Sequence, residues 1–476
     1  MIENARPIRA RRSAPAARAL SLLTAAAVAA AGFAGAAVVP TRAQAAPKMP
    51  IIRDTEIENL LRDYARPILR VAGLAKQNIK VVIINNSSFN AFVMDGRHIF
   101  VNAGALFQSK TPNEIIGVLA HETGHLAGGH LIRMREKLAQ AQTQSIVAML
   151  LGVGALAAGA ASGSASVGQI GPAAISAPQS AIFHSVLAYA RTQEDQADHA
   201  ALKFLRETHQ SPKGMVDLFK RLENETLFSA RGADPYLRTH PMPAQRVAAL
   251  EQKARASPYW NKKDPPALQL RHDLMRAKLS GFLESRATVL RRYPLSNHSL
   301  PARYARAIST YRHGSLRSAI AQIDGLIASE PNNPYFYELK GQALLEGGRG
   351  SASIAPLRRA VALSHHAPLI DIMLAQALIG TNKRALASEA VHLLNTALRR
   401  EPHSASAYTQ LAMAYGHTGD IPRADLASAQ AAFARGDVKT ARMLAERAKR
   451  GLKVGSPPWV RADDIVSVKL PRHNRR

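Results

Sequence analysis

The stretch Thr111-Pro112-Asn113-Glu114-Ile115-Ile116-Gly117-Val118-Leu119-Ala120-His121-Glu122-Thr123-Gly124-His125 decides how this chain is read. Threonine followed by proline, with glutamate three positions after the threonine, predicts a helix start with an N-cap, a proline at the first helical position and a capping box. The apolar lead Ile115, Ile116, Val118 and Leu119 predicts that this helix is buried. His121 and His125 are four apart, so on a helix they lie within ~40° of each other, one turn apart on one face. Two imidazoles in that relation can hold one zinc ion, and Glu122 projects to the side, where it reaches a water at that ion.

Such a site needs a third ligand. A metzincin arrangement would put histidine six residues after His125, and that position is Leu131. His130 is one residue short and is turned ~180° from His121 on a continuous helix, which makes it a packing or hydrogen-bonding residue. Glu194 is the better candidate, within Arg191-Thr192-Gln193-Glu194-Asp195-Gln196-Ala197-Asp198. Glu194 and Asp198 are again four apart, so the first can ligate while the second accepts a hydrogen bond from a ligand imidazole and fixes its orientation. Thr239-His240-Pro241, with Arg246 on the following helix, forms a third cluster. His240 there either hydrogen-bonds a developing oxyanion or occupies the open metal position.

Around this centre the pattern predicts an amphipathic helix from Ile52 to about Ala75 and strands over 79–84, 90–94 and 98–101, with Asp95-Gly96 as a hairpin turn. Ile146 to Ala161 is apolar but broken by Gly152, Gly154 and Gly159, and grades into a Gly/Ser/Ala segment ending near Ala177. It reads as a helix plus a loop beside the site, with a long helix resuming from Ala181 to His209. The proline-rich segment from Ala254 to Pro266 reads as an interdomain connection. Beyond Ser299, Ala307, Gly341, Ala375 and Ala412 recur at spacings of 34, 34 and 37, and Ala360, Ala397 and Ala431 repeat a later small position. A period near 34 with helix-turn-helix character resembles the tetratricopeptide repeat.

Composition narrows the classes. The chain has 476 residues, 62 basic against 34 acidic, a formal charge of +28 and no cysteine. Disulfides, a cysteine nucleophile and thiolate-bound zinc are thereby excluded. The charge favours anionic partners, including peripheral contact with an anionic membrane surface. No helix-turn-helix, zinc-knuckle or aromatic-basic strand signature accompanies it, so it reads as a basic surface and not as a nucleic-acid site. A basic region from Arg6 to Arg18, an apolar stretch from Ala19 to Val39 and Ala43-Gln44-Ala45 predict an export signal cleaved between Ala45 and Ala46. Left uncleaved, Ala19–Val39 would be a membrane anchor.

Together, the histidine-glutamate motif, Glu194 with Asp198, and His240-Pro241 followed by Arg246 resemble the HtpX-like gluzincin metallopeptidases, in an exported form that carries C-terminal tetratricopeptide repeats. The resemblance implies a mainly α fold with a small β-sheet in the peptidase domain (an α+β gluzincin fold), followed by an all-α repeat solenoid. The expected division is a signal over 1–45, a peptidase domain over 46–262, helical linker and repeats over 263–470 and a basic tail over 471–476. By that likeness His121, His125 and Glu194 hold one Zn2+ per chain, and Glu122 is the general base and acid. His240 acts in the transition state or as a gate, with Asp198 and Arg246 behind the ligands. Asn90, Ala91 and Phe92 resemble the edge strand that takes an extended substrate by β-augmentation. The expected function is a periplasmic zinc endopeptidase acting on misfolded or stalled envelope proteins, with a chaperone-like role in outer-membrane protein assembly. The partners implied are those proteins and their assembly machinery, met through the repeats. Two alternatives compete: a repeat-scaffold chaperone or adaptor with latent proteolysis, and a membrane-anchored quality-control protease.

Overall fold

The computed structural model describes residues 49–162, 167–228, 236 and 240–468, with the side chains of 150–179 and 225–228 left outside the description. The export signal and its cleavage point, Thr239 and the basic tail 471–476 therefore lie outside the described residues.

The β-branched run and the Asp95-Gly96 turn form as their sequence predicts. Strands β2 (Lys80–Ile84), β3 (Ala91–Asp95) and β4 (His98–Asn102) belong to one sheet of order β1-β2-β4-β3. Asp95 Oδ1 accepts from the backbone N–H groups of Arg97 and His98, both at 2.8 Å, which closes the β3–β4 hairpin. β2 pairs with β4 in parallel, so β3 is left on the edge. The fourth strand, β1 (Ile51–Ile52), corrects the expected helix start at Ile52. Asp54 takes the N-cap position, its side chain accepting from Ile57 N at 2.9 Å, so helix α1 spans Thr55–Val71 and frees Ile51 and Ile52 to pair antiparallel with Ile84 and Ile83.

A short helix α2 (Ala103–Gln108) leads into α3 (Pro112–Ala127), which carries the motif. Its start differs from the expected capping box. Thr111 has the extended N-cap backbone but its side chain makes no cap bond, and Glu114 accepts from Lys110 N at 3.0 Å while pairing with Arg221 at 2.7 Å. Asp264 supplies a remote cap, accepting from Asn113 N at 3.1 Å. From Pro112 to Gly124 every residue of α3 is buried. It packs against α1, the sheet, α5 (Val167–Glu207) and α6 (Lys213–Phe228). Two glycines allow that crowding: a Cβ on Gly117 would lie 2.5 Å from Met215 Cβ of α6, and one on Gly124 would lie 2.9 Å from the Ala197 carbonyl oxygen of α5.

The Gly/Ser/Ala region corrects a second expectation. Helix α4 (His130–Ser162) runs through the glycine-broken stretch, and α5 begins at Val167, not near Ala181. The alanines favour helix by roughly the ~1 kcal/mol per residue that each glycine costs, and α4 and α5 pack along each other. No helix among the described residues is long and apolar enough to cross a membrane.

After α7 (Ala244–Arg255), helix α8 (Pro266–Leu283) contributes Met275 and Leu279 to the core around α3, and Leu274 and Ala277 to the next core. A short α9 (Arg286–Arg292) follows, then five helix pairs: α10 (Leu300–His313) with α11 (Leu316–Ser329), α12 (Pro334–Glu346) with α13 (Gly350–Leu363), α14 (Pro368–Ile379) with α15 (Arg384–Arg400), α16 (Ala405–Thr418) with α17 (Ile421–Ala434), and α18 (Val438–Gly451) with α19 (Pro457–Ser467). The first helices of these pairs start 34, 34, 37 and 33 residues apart, the tetratricopeptide-like period seen in the alanines. Ala307, Gly341 and Ala375 sit on first helices, and Ala360, Ala397 and Ala431 on second helices. Gly341 shows why the positions are small: a Cβ there would lie 2.4 Å from Leu357 Cγ of the paired helix. The molecule is thus mainly α, with one four-stranded sheet followed by an all-helical repeat array.

Candidate active site

The close crossing of α3 and α5 at Gly124 and Ala197 sets two i,i+4 pairs face to face, His121 and His125 against Glu194 and Asp198. His121 Nε2 and His125 Nε2 are 3.1 Å apart. Glu194 places one oxygen 3.4 Å from His121 Nε2 and the other 3.4 Å from His125 Nε2. The segment before α7 adds His240, whose Nδ1 is 3.0 Å from Glu194 Oε2 and 3.4 Å from His121 Nε2. One ligating atom from each of His121, His125, Glu194 and His240 lies within 4.8 Å of the others.

The bonds behind these atoms fix what they offer. Asp198 Oδ1 accepts from His121 Nδ1 at 2.9 Å, so Nδ1 is protonated and Nε2 is the atom turned toward the centre of the cluster. His125 Nδ1 meets His130 Nδ1 at 3.0 Å, and His130 Nε2 meets Gln196 Oε1 at 3.2 Å. Two imidazole Nε2 atoms facing each other beside a carboxylate form a set that suits a cation at its centre. Burial alone would lower the His121 pKa, but Asp198 and Glu194 outweigh it and push it up to about 9, so a metal ion ligated at Nε2 has to displace a proton there. Burial pushes His125 down to about 4, leaving it neutral as a ligand must be. Burial would raise the Glu194 carboxyl, yet the surrounding His240, His121 and His125 hold it well below the usual range.

Arg246 organises the rest. Its guanidinium grips Asp198 through Nε at 2.7 Å and Nη2 at 2.9 Å, and its Nη1 reaches Glu194 Oε2 at 3.0 Å and the Pro241 carbonyl at 2.8 Å. One side chain thereby ties the His240-Pro241 segment to the helix that bears Glu194 and Asp198. Glu122 is fully buried, and neither of its carboxylate oxygens has a hydrogen-bond partner; Oε1 is 3.5 Å from His240 Nε2. A buried carboxylate with both oxygens unpaired is costly unless chemistry uses it.

The structure thus brings together His121, Glu122, His125, Glu194, Asp198, His240 and Arg246 from three separate segments. Asn90, Ala91 and Phe92 lie on and just before the edge strand β3, which borders α3. Four partners were not foreseen. Gln196 orients His130, Gln193 Nε2 donates to the His130 carbonyl at 3.3 Å, Phe219 meets His121 edge-on, and Tyr236 packs against the His240 ring at 4.7 Å between centroids. The glutamines sit inside the segment that carries Glu194, the one local signal available. Phe219 and Tyr236 look like any other core aromatics.

A buried helix bearing His-Glu-x-x-His, with a carboxylate on a later helix, defines a metallopeptidase, and residues 52–254 match the model of peptidase family M48. Within that class the chain is similar to the β-barrel assembly-enhancing protease of Yersinia pestis, 23% identical over 436 residues that cover 90% of this chain and 86% of that protein. The β-barrel assembly-enhancing protease of Escherichia coli strain K12 is likewise 23% identical, over 87% of this chain and 83% of its own length. Over 39% of this chain and 49% of its own length, the mitochondrial metalloendopeptidase OMA1 of Schizosaccharomyces pombe is 26% identical. At that coverage the likeness to the first two reaches into the helical repeats. The chain is a metalloendopeptidase.

Proposed function

We propose that this chain is a zinc endopeptidase of the bacterial periplasm that cleaves misfolded or stalled envelope proteins and assists outer-membrane protein assembly through its repeats. The convergence of His121, His125, Glu194 and His240 carries the chemical part of this reading. The location and the clients rest on similarity to proteins named for β-barrel assembly. In this reading residues 1–45 are an export signal, 46–262 the peptidase domain, 263–470 the linker and repeats and 471–476 a basic tail.

His121, His125 and Glu194 hold one zinc ion, a His/His/carboxylate set that suits zinc. When bound, the ion acts as a Lewis acid that polarises the scissile carbonyl and acidifies water. Glu122 accepts the proton from the attacking water at its carboxylate and returns it to the leaving amine. Asp198 holds His121 in one tautomer, and Arg246 holds Asp198. His240 supplies a fourth donor in this arrangement, which favours the gating role: it has to give way before water or a substrate carbonyl takes that position. That same contact supports latent proteolysis. Removing the metal with a chelator is expected to abolish cleavage of unfolded casein, and one equivalent of zinc per chain to restore it. Full activity in a chain shown to be metal-free would refute the proposal.

For the substrate we propose β3. Asn102 N donates to Asn90 O at 2.9 Å, so alternation turns the backbone groups of Ala91 and Val93 away from β4, toward an added strand. Val93→Pro removes one outward N–H and no ladder bond. A lost intermolecular hydrogen bond of ~1 kcal/mol predicts a KM about fivefold higher at unchanged kcat. Steady-state kinetics on an extended peptide checks this, and an unchanged KM would remove β3 from the substrate path.

A further inference from the structure

The α4–α5 hairpin is unlike the rest of this basic chain. In a protein that is 20% charged, no Asp, Glu, Lys or Arg occurs from Leu138 to Ala190. The stretch is bounded by Arg133, Arg135 and Lys137 on one arm and by Arg191 on the other, with Glu136 the single acid among them. The two arms pack along each other, and near its start α4 is fastened to the sheet by Arg135, whose Nη2 reaches the Met94 carbonyl at 3.4 Å. Beyond that base, large apolar side chains face outward. Phe183 on α5 is 61% exposed, Leu138, Ile146, Val147 and Met149 on α4 are about half exposed, and Ile132, in the base itself, is 64% exposed. At 100° per residue, the α4 set spreads over about half the helix circumference.

An exposed apolar surface of this extent in a folded protein marks an interaction site. Its form selects the partner. Apolar side chains spread over half a helix circumference, in a stretch whose sequence is rich in alanine and glycine, single out no one shaped protein ligand. They suit a fluid apolar medium. The basic residues collect where the uncharged arm begins, as an anionic headgroup layer would require. No helix among the described residues is long and apolar enough to span a bilayer.

We propose that the α4–α5 hairpin is a membrane-docking element whose uncharged arm enters the interfacial region of an anionic phospholipid bilayer while Arg133, Arg135, Lys137 and Arg191 contact the headgroups. Because Arg191 stands one turn before Glu194 on the same helix, docking sets the catalytic face beside the bilayer surface. Polypeptide emerging at that surface is then the accessible substrate. The docking itself stands on the hairpin alone; only this last consequence rests on the peptidase reading.

The chain has no cysteine, so single cysteines can be labelled cleanly. An environment-sensitive dye on Val147→Cys and on Phe183→Cys in the full chain is expected to shift to the blue with phosphatidylglycerol-rich vesicles. It is expected to stay unshifted with pure phosphatidylcholine, and the same dye on Met413→Cys in the repeats to stay unshifted with both. Arg133→Gln with Lys137→Gln should weaken vesicle binding by about tenfold and flatten its salt dependence. Ile146→Glu with Val147→Glu should abolish the dye shift at Phe183→Cys while leaving cleavage of soluble casein unchanged. No shift at either hairpin position, or a shift produced by unfolded polypeptide and not by vesicles, would overturn the proposal. Loss of casein cleavage in the unsubstituted chain would count against the peptidase reading and leave the docking result to stand.

Discussion

Glu122→Gln keeps the fold and the metal and loses peptide hydrolysis by roughly 10²–10⁴-fold, the contribution of a positioned general base. The substitution preserves shape, and the site it enters is tight: Glu122 is fully buried beside His121 and His240. No hydrogen bond is lost, because neither oxygen of Glu122 has a partner. What disappears is the ability to take up and release a proton. Burial raises this carboxyl above its ordinary value, with His240 and His121 opposing, which moves it toward the range where a base works at neutral pH. Metal content, thermal stability and kcat/KM on an unfolded substrate should be measured on the same preparation. One zinc per chain with activity lost is the expected result. Undiminished hydrolysis by the zinc-loaded variant would remove Glu122 from the mechanism, and loss of zinc would make it a determinant of the metal site instead.

The parts of this site legible in the sequence are those written in local spacing. Two i,i+4 pairs, His121 with His125 and Glu194 with Asp198, need only a helix to acquire their geometry, and buried helical patterns surround both. The repeat array was legible for the same reason, since Ala307, Gly341 and Ala375 recur with the period of the helix pairs. What escaped depends on partners far apart in the chain. Strand β1 is two residues long and exists because Ile83 and Ile84 are there to pair with it. The start of α5 at Val167 lies in a Gly/Ser/Ala segment whose local preference reads as loop, and α4 packs along that helix. Thr111 lost its capping role to Asp264, which no local pattern connects to it. His130 is intermediate: helical phase excluded it from the ligand set, but its bond to His125 requires the chain to turn at Gly129, where φ is +62°.

The same long-range character marks the second large effect, at Lys278. This lysine of α8 is 4% exposed and faces three carboxylates: Asp54 at 2.7 Å, Glu56 at 3.2 Å and Glu338 at 3.8 Å. Tyr304 donates to Glu56 at 3.0 Å, and the Tyr335 ring lies 5.6 Å from the ammonium. The cluster joins the start of α1, beside the sheet, to α10 and α12 of the repeats. Lys278→Met fills similar space but leaves two buried acids and the half-buried Asp54 without their cation, so it should destabilise the folded chain by about 3–5 kcal/mol. The pH dependence separates charge from packing. Burial pushes the Glu338 carboxyl up to about 8, against an ordinary value of 4.5, with Lys278 opposing and Asp54 and Glu56 adding to the rise. A folded-state value above the unfolded one means that the folded state holds the proton more tightly. Its contribution is complete below 4.5 and is lost as pH rises through about 8. Lys278→Met should therefore be damaged least at about pH 5 and most at about pH 8. Glu338→Gln, a permanent stand-in for the protonated acid, should be more stable than the parent at about pH 8 and show a flatter profile. Thermal unfolding of the three proteins at both pH values decides the matter. A Lys278→Met chain as stable as the parent at pH 8, or a Glu338→Gln chain less stable there, would mean that packing and not charge holds this junction together.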